Sequence, residues 1–306
     1  MKTILVTGAD GQLGATFQEQ VTLNLNIISG NYVFLGHKEL DIVDKKSVKA
    51  AFDKYKPNIV INCAAYTNVE GAEENEDKAH DINVIGVENL KKACKKNKAY
   101  LIHFSTDYVF DGEKNTPYTE EDKVNPLNIY GSSKLLGDLR LLEDENALIF
   151  RVSWLYSNYG NNFFLKIKKS VEEGKELKIV NDQVGTPTYA RDLVRHIISI
   201  ISREEYVGKS GLYNYSDEGV CSWYDFAKMI EFFTKKNQDN VLNSIKRSNI
   251  SSCRTENRKD KAKRPHYSVL DKTKFYNDFT EGKQNSSWVE SLVDCFKWEY
   301  LMKRTN

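Results

Sequence analysis

The chain has 306 residues, and its 44 Lys and Arg against 43 Asp and Glu leave a formal net charge of +1. That balance excludes a global field for nucleic acid or an anionic membrane and points to a small-molecule partner. The length allows a large core, or two unequal lobes around one sheet. The five cysteines (Cys63, Cys94, Cys221, Cys253, Cys295) are odd in number and form no CxxC pair, and the five histidines are scattered. Reduced thiols in a cytoplasmic protein are therefore expected, with no disulfide framework and no metal. Met1-Lys2 leads directly into an apolar strand, and no run approaches about 18 apolar residues, so neither export nor a membrane span is expected.

The first element is a short buried strand, Ile4-Leu5-Val6, followed by glycines at 8, 11 and 14. A GxxGxxG turn lets the backbone bend sharply, approach a pyrophosphate and point a helix N-terminus at the phosphates. Gly8, Asp10, Gly11, Gln12, Leu13 and Gly14 are thus the expected cofactor cradle. The second strand, Tyr32 to Leu35, ends in Gly36-His37-Lys38, with no acid before Glu39. NAD-specific folds place a carboxylate on the adenosine ribose in this neighbourhood. A small residue followed by two cationic ones suits a 2′-phosphate instead, so NADPH is favoured and NADH left open; a solvated loop is the plainer alternative.

A helix over 45–55, a strand from Asn58 to Cys63 and the small-residue turn Ala64-Ala65-Tyr66, where a cofactor could lie flat, come next. Over 76–97 a charged helix repeats Ala79, Ile82, Gly86, Leu90, Ala93 and Cys94 at steps of three and four, the stripe of a helix covering a sheet. Asn83 within it either reaches the site or serves as a structural amide. The strand Tyr100 to Phe104 closes on Ser105 and Thr106, hydroxyls at the carboxyl edge where open α/β sheets bind ligands. Tyr130 and Lys134 lie four apart, on one face of a helix. A cation near a phenol favours the phenolate and lowers its pKa from about 10, which makes a proton donor of the pair. A buried strand from Ala147 to Ser153 ends at Trp154. The alternation predicts an α/β, Rossmann-type doubly wound parallel sheet. Residues 1–156 form the dinucleotide-binding domain, and 157–306 a smaller C-terminal substrate-binding lobe with some segments returning to the first.

In that second half, helices near 163–174 and 191–201, strands Leu177 to Val180 and Gly211 to Tyr215, and a turn-rich stretch 181–188 are expected. Ser222 and Asp225 read as a structural capping box. The one basic stretch, 246–264, holds Lys246, Arg247, Arg254, Arg258, Lys259, Lys261, Lys263 and Arg264. Without interleaved stacking aromatics it argues against nucleic acid; it suits a loop that offers a cation to a diphosphate, or simply a solvated loop.

The segments GADGQLG (8–14), ELDIVD (39–44), INCAAYTNVEGAE (61–73), STDYVFDG (105–112), PLNIYGSSK (126–134), RVSWLY (151–156), GNNF (160–163), NDQVGTPT (181–188) and RPHYSVLD (264–271) follow one another along most of the chain. Together they resemble the family of dTDP-4-dehydrorhamnose reductases, in the extended branch of the short-chain dehydrogenase/reductase superfamily. The resemblance implies reduction of the C4 keto group of a sugar nucleotide, dTDP-4-dehydro-β-L-rhamnose, to dTDP-β-L-rhamnose. It implies Tyr130 as proton donor, Lys134 as the group that lowers the Tyr130 pKa and holds the nicotinamide ribose, and Thr106 as hydrogen-bond donor to the C4 oxygen. Asp41 and Ile42 would lie beside the adenine, and Asp107, Trp154 and Arg264 would meet the substrate. Some members join subunits through a glutamate-bound metal, but Thr16 and Arg191 stand at two of those positions, which leaves a homodimer open and its metal in doubt. Another 4-keto sugar reductase, an epimerase or dehydratase, and a non-catalytic regulatory subunit are the alternatives. Such dehydratases carry Asp-Glu after the threonine, where this chain has Asp107-Tyr108.

Overall fold

The computed structural model describes residues 1–24, 30–238 and 249–305. The first half runs β1 (Thr3–Thr7), α1 (Gln12–Leu23), β2 (Asn31–Leu35), α2 (Lys45–Tyr55), β3 (Ile59–Asn62), α3 (Val69–Ala72), α4 (Glu76–His80), α5 (Gly86–Asn97), β4 (Tyr100–Thr106), α6 (Ile129–Leu141) and β5 (Ala147–Val152). The second runs β6 (Leu155–Tyr156), α7 (Phe163–Glu172), β7 (Leu177–Val180), β8 (Val184–Gly185), β9 (Thr188–Tyr189), α8 (Ala190–Ser202), β10 (Gly211–Tyr215), β11 (Cys221–Ser222), α9 (Trp223–Gln238), β12 (Ile250–Cys253), α10 (Thr273–Phe279) and α11 (Trp288–Thr305).

Six strands form one sheet in the order β10-β5-β4-β3-β1-β2, and every pairing in it is parallel. Parallel strands must be covered on both faces, because their connections cross over as helices. Alternate residues accordingly enter two different cores. Ile4, Val6, Ile59, Ile61, Ile102 and Phe104 pack with Phe17 of α1, Leu193 and Ile197 of α8 and Phe275 of α10. Leu5, Val60, Leu101 and Ile149 pack on the opposite face with Val48 and Phe52 of α2, Leu90 of α5 and Leu141 of α6. The doubly wound sheet expected from the alternation is the one observed.

A third core joins Trp154 and Tyr156 to Phe164 and Ile167 of α7, Phe226 and Ile230 of α9 and Leu292 of α11. Helix starts follow the capping rules: Asp44 accepts from the Lys46 amide at α2, Asn128 from the Gly131 amide at α6, and Asn162 from the Leu165 amide at α7. Ser222 and Asp225 form the expected reciprocal box at α9.

Two regions differ from expectation. The helix over 76–97 is not uniform, since a π-helical turn, Asp81–Ile85, lies between α4 and α5; such a turn spends one extra residue to re-aim a side chain. The residue re-aimed is Asn83. The stretch 181–188 is more than a connector, because β8 within it pairs antiparallel with β11 and Val184 bridges to Tyr267. Of the basic stretch, Lys246 and Arg247 lie outside the described residues. No helix among the described residues is long and apolar enough to cross a membrane.

Candidate active site

The glycine turn follows β1 at the carboxyl edge of the sheet. Gly8 has φ +60°, a left-handed conformation that L side chains rarely adopt, and a Cβ there would lie 2.6 Å from the Ala64 amide. A Cβ at Gly14 would lie 2.6 Å from the Ala9 Cα. Both positions therefore need glycine for close backbone approach, which leaves the N-terminus of α1 open beside Ala64 and Ala65. Asp10 packs its carboxylate over Gly36. His37 and Lys38 are exposed next to it. The turn at Ala64-Ala65-Tyr66 is fixed by Asn83, which accepts from the Tyr66 amide at 2.9 Å and donates to its carbonyl at 3.1 Å and to Ser133 at 2.9 Å. Asn83 thus holds the turn from behind. Gly137 on α6 lacks the Cβ that would strike the Asn83 carbonyl, so α6 packs directly on the π-helical turn. Ile42 is buried and fills the space over Gly86. The Asp41 carboxylate accepts from the Val43 amide at 2.9 Å, which closes the bend after β2.

Helix α6 carries Tyr130 and Lys134 to the end of β4. The Tyr130 side chain lies beside Thr106 and meets the Tyr108 ring edge-on at 6.0 Å. Thr106 is buried, with its hydroxyl also 3.2 Å from the Asp107 carboxylate. Tyr130 and Thr106 are thus neighbours, and the electrostatics differ from the expected ones. Burial pushes the Tyr130 phenol up to about 12, and Asp107 and Asp138 push it the same way. The expected cationic partner is turned elsewhere: Lys134 donates to the carbonyl of Phe104 at 2.6 Å and lies 3.4 Å from His103. Burial brings Lys134 itself down to about 8. In this state the phenol is a protonated acid, not a phenolate.

The residues expected to meet the substrate include Asp107 and Trp154, which follow β4 and β5. Asp107 is buried, and burial raises its carboxyl to about 7 against hydrogen bonds from Ser268 and Thr106. One of its oxygens has no partner. Trp154 sits at φ +45°, stacks on Trp223 of α9 at 3.6 Å, and fits only because Gly185 has no side chain. Arg264 is not free to meet a diphosphate: it pairs with Glu70 at 2.6 Å and Asp260 at 3.0 Å, beside Tyr108.

Residues not anticipated from the sequence complete the site. Ser268 lies beside Asp107 and draws its carboxyl back down, and Trp223 stacks on Trp154. His103 meets Lys134, and Asp138 accepts from Ser105 at 2.6 Å. Asp138 was findable as the i+4 neighbour of Lys134. Thr16 bonds back to the Gln12 carbonyl, and Arg191 lies 3.6 Å from Glu19 and 3.5 Å over the Trp298 ring, so a cation occupies the place the resemblance gives to a glutamate. Among the described residues, no group of three or more His, Cys, Asp or Glu could hold a metal ion.

A family model described as RmlD substrate binding domain matches residues 1–300. The chain is similar to a spore coat polysaccharide biosynthesis protein, SpsK, of Bacillus subtilis, 37% identical and covering 100% of this chain and 99% of the relative. It is also similar to a dTDP-4-dehydrorhamnose reductase of Aggregatibacter actinomycetemcomitans, 38% identical over 95% of this chain and 97% of that one. Among solved structures, the dTDP-4-dehydrorhamnose reductase of Bacillus anthracis in complex with NADP superposes with a TM-score of 0.85 at 35% identity, covering 96% of this chain and 98% of the other.

Proposed function

Because the chain belongs to the family of dTDP-4-dehydrorhamnose reductases, matched over residues 1–300, we propose that it is an NADPH-dependent oxidoreductase that reduces dTDP-4-dehydro-β-L-rhamnose at C4 to dTDP-β-L-rhamnose. The observation that carries the reading is the buried Thr106 beside the Tyr130 phenol at the carboxyl edge of β4, with Lys134 buried one helical turn along. The cofactor fits what the chain offers. A cradle stripped of Cβ atoms at Gly8 and Gly14 leads to the N-terminus of α1, and His37 and Lys38 stand exposed beyond β2, where a 2′-phosphate needs cations. When bound, the dihydronicotinamide supplies the hydride.

The protein's own groups handle the proton and the geometry. Tyr130, protonated up to about pH 12, gives its proton to the oxygen that becomes the C4 hydroxyl, and Thr106 donates a hydrogen bond to the same oxygen as charge grows there. Lys134 binds the nicotinamide ribose and returns positive charge to Tyr130 once the phenolate forms. Asp107, with its unpartnered oxygen, and Trp154 bind the sugar. Arg264 reaches the diphosphate after exchanging Glu70 and Asp260 for phosphate oxygens. The five cysteines are free, which suits a cytoplasmic enzyme of sugar-nucleotide synthesis.

The test is consumption of NADPH, followed by its near-ultraviolet absorbance, on mixing protein with dTDP-4-dehydrorhamnose, with the product stereochemistry read by NMR. Oxidation yielding dTDP-L-rhamnose is expected, faster with NADPH than NADH. Binding of NADPH without turnover of this sugar would refute the substrate.

A further inference from the structure

A row of buried polar residues crosses three strands beneath the site. Thr7 of β1 is the register partner of Asn62 in β3, and Asn62 of His103 in β4; all three are at most 2% exposed. The row ends on Lys134, also 2% exposed, and its hydrogen bonds can be assigned from one end to the other. The Ala64 amide can only donate, and it lies 3.2 Å from the Asn62 side-chain oxygen, which also accepts from the Thr7 hydroxyl at 2.7 Å. The other end of the Asn62 amide is therefore its NH₂, which donates to His103 Nδ1 across 3.1 Å. Burial holds the His103 ring neutral. A neutral ring that accepts at Nδ1 carries its proton on Nε2. That N–H faces Lys134 Nζ at 3.4 Å.

An ammonium at Nζ would set donor against donor. A neutral amine instead accepts from His103 and donates to the Phe104 carbonyl at 2.6 Å. The other charged and titratable groups near Lys134 do not reverse this. Asp138, one turn along α6, favours the cation but is engaged by Ser105 of β4 at 2.6 Å and by Arg151 of β5 at 3.6 Å. Tyr130 on α6 is held protonated, and Asp107, beyond β4, is directed to Thr106.

We propose that His103, locked as its Nε2–H tautomer by Asn62, is a positioning residue that favours the neutral amine of Lys134 in the cofactor-free protein, so that in mildly alkaline solution NADPH binding draws one proton from solvent onto Lys134. The proposal rests on the reading above that Lys134 meets the nicotinamide ribose, whose hydroxyls give an ammonium the acceptors it lacks here. No bond but the new N–H forms, and Asn62 and His103 keep their protons.

Two measurements test it. In cofactor-free protein labelled with ¹⁵N-histidine, the ring spectrum of His103, assigned with His103→Phe, should show Nε2 protonated, Nδ1 bare and no titration from about pH 5 to 9. A ring protonated at Nδ1, or one that titrates, overturns the tautomer assignment and the proposal. Calorimetry of NADPH binding at about pH 9, in buffers of different ionisation enthalpy, should show uptake of close to one proton; at that pH the 2′-phosphate no longer titrates. Asn62→Asp should turn the ring over, with Nδ1–H donating to the new carboxylate and Nε2 accepting from an ammonium, and cut the uptake to below about a quarter of a proton. Wild-type uptake near zero, or full uptake in Asn62→Asp, overturns the coupling. Failure of NADPH to bind at all would sink the reductase reading and the coupling together, while the cofactor-free ring spectrum judges the tautomer separately.

Discussion

Replacing Gly185 by Ala is a one-methyl perturbation aimed at Trp154. The Gly185 backbone is not in the left-handed region, so alanine itself is unstrained there, but its Cβ would lie 2.6 Å from Trp154 Cε2 and 2.7 Å from Cζ2. Neither atom belongs to a flexible chain end. The indole is already held 3.6 Å from Trp223, and its own backbone sits at φ +45°, a conformation that costs a non-glycine residue about 1–3 kcal/mol. Overpacking of this kind costs about 1–3 kcal/mol. If the indole yields by turning away from the sugar contact proposed for it, that energy is lost from substrate binding and appears as roughly a five- to 150-fold rise in KM, at about 1.4 kcal/mol per decade. The assay is steady-state kinetics against the sugar nucleotide, paired with NADPH titration by fluorescence and thermal unfolding. The expected result is a raised sugar-nucleotide KM with an unchanged NADPH Kd, because Trp154 packs in the third core and has no part in the glycine turn proposed to hold the cofactor. An unchanged KM alongside a lowered Tm would refute the reasoning, since the methyl would then burden only the fold. Equal losses in both ligands would refute it too.

Tyr130→Phe removes the proton donor without changing the ring, so turnover should fall by about 10²- to 10⁴-fold while NADPH still binds; near wild-type turnover would remove Tyr130 from the mechanism. Lys38→Glu, at an exposed position, should leave thermal unfolding unchanged and lower the NADPH to NADH preference by roughly tenfold or more, which parallel kinetics with the two cofactors would show. Asp107 makes stability depend on pH. Its folded carboxyl is raised to about 7, so between about 4 and 7 the native state binds more protons than the unfolded one. The sign therefore runs downward: stability falls with rising pH across that window, by at most about 1.4 kcal/mol per unit, and levels off above it. Chemical denaturation of wild type and Asp107→Asn across the window checks this, with the variant expected to lose that slope.

The sheet was legible from sequence because its strands are short apolar runs and its covering helices carry three- and four-residue stripes. The bounds read for 45–55, 177–180 and 211–215 coincide with α2, β7 and β10. Glycines at 8 and 14 were legible for a related reason: their demand is local and steric. The π-helical turn was not, since Ala79, Ile82 and Gly86 keep a helical stripe through it, and only the pull of Tyr66 and Ser133 on Asn83 shows why an extra residue is needed. His103 and Asn62 were invisible as partners for the same kind of reason. Each looks like an isolated polar residue in an apolar run, and only strand register places them side by side. The state of Lys134 likewise depends on where its amine turns, which a spacing of four from Tyr130 cannot reveal.

Strand β10 occupies one edge of the main sheet, paired with β5, yet it is made about 60 residues later in the chain, after β6, α7, β7, β8, β9 and α8. Helix α8, whose Leu193, Val194 and Ile197 cover one face of the sheet, also follows that excursion. The nucleotide half is thus not a contiguous piece of sequence. A fragment ending at residue 156 would lack an edge strand and the lid over a hydrophobic face, leaving β5 as an open template for association. During synthesis the sheet must wait for residues 155–210 to leave the ribosome before it can close. Gene truncations intended to isolate cofactor binding should therefore aggregate, whereas a circular permutant that keeps residues 190–215 next to β5 is the economical way to obtain that half alone.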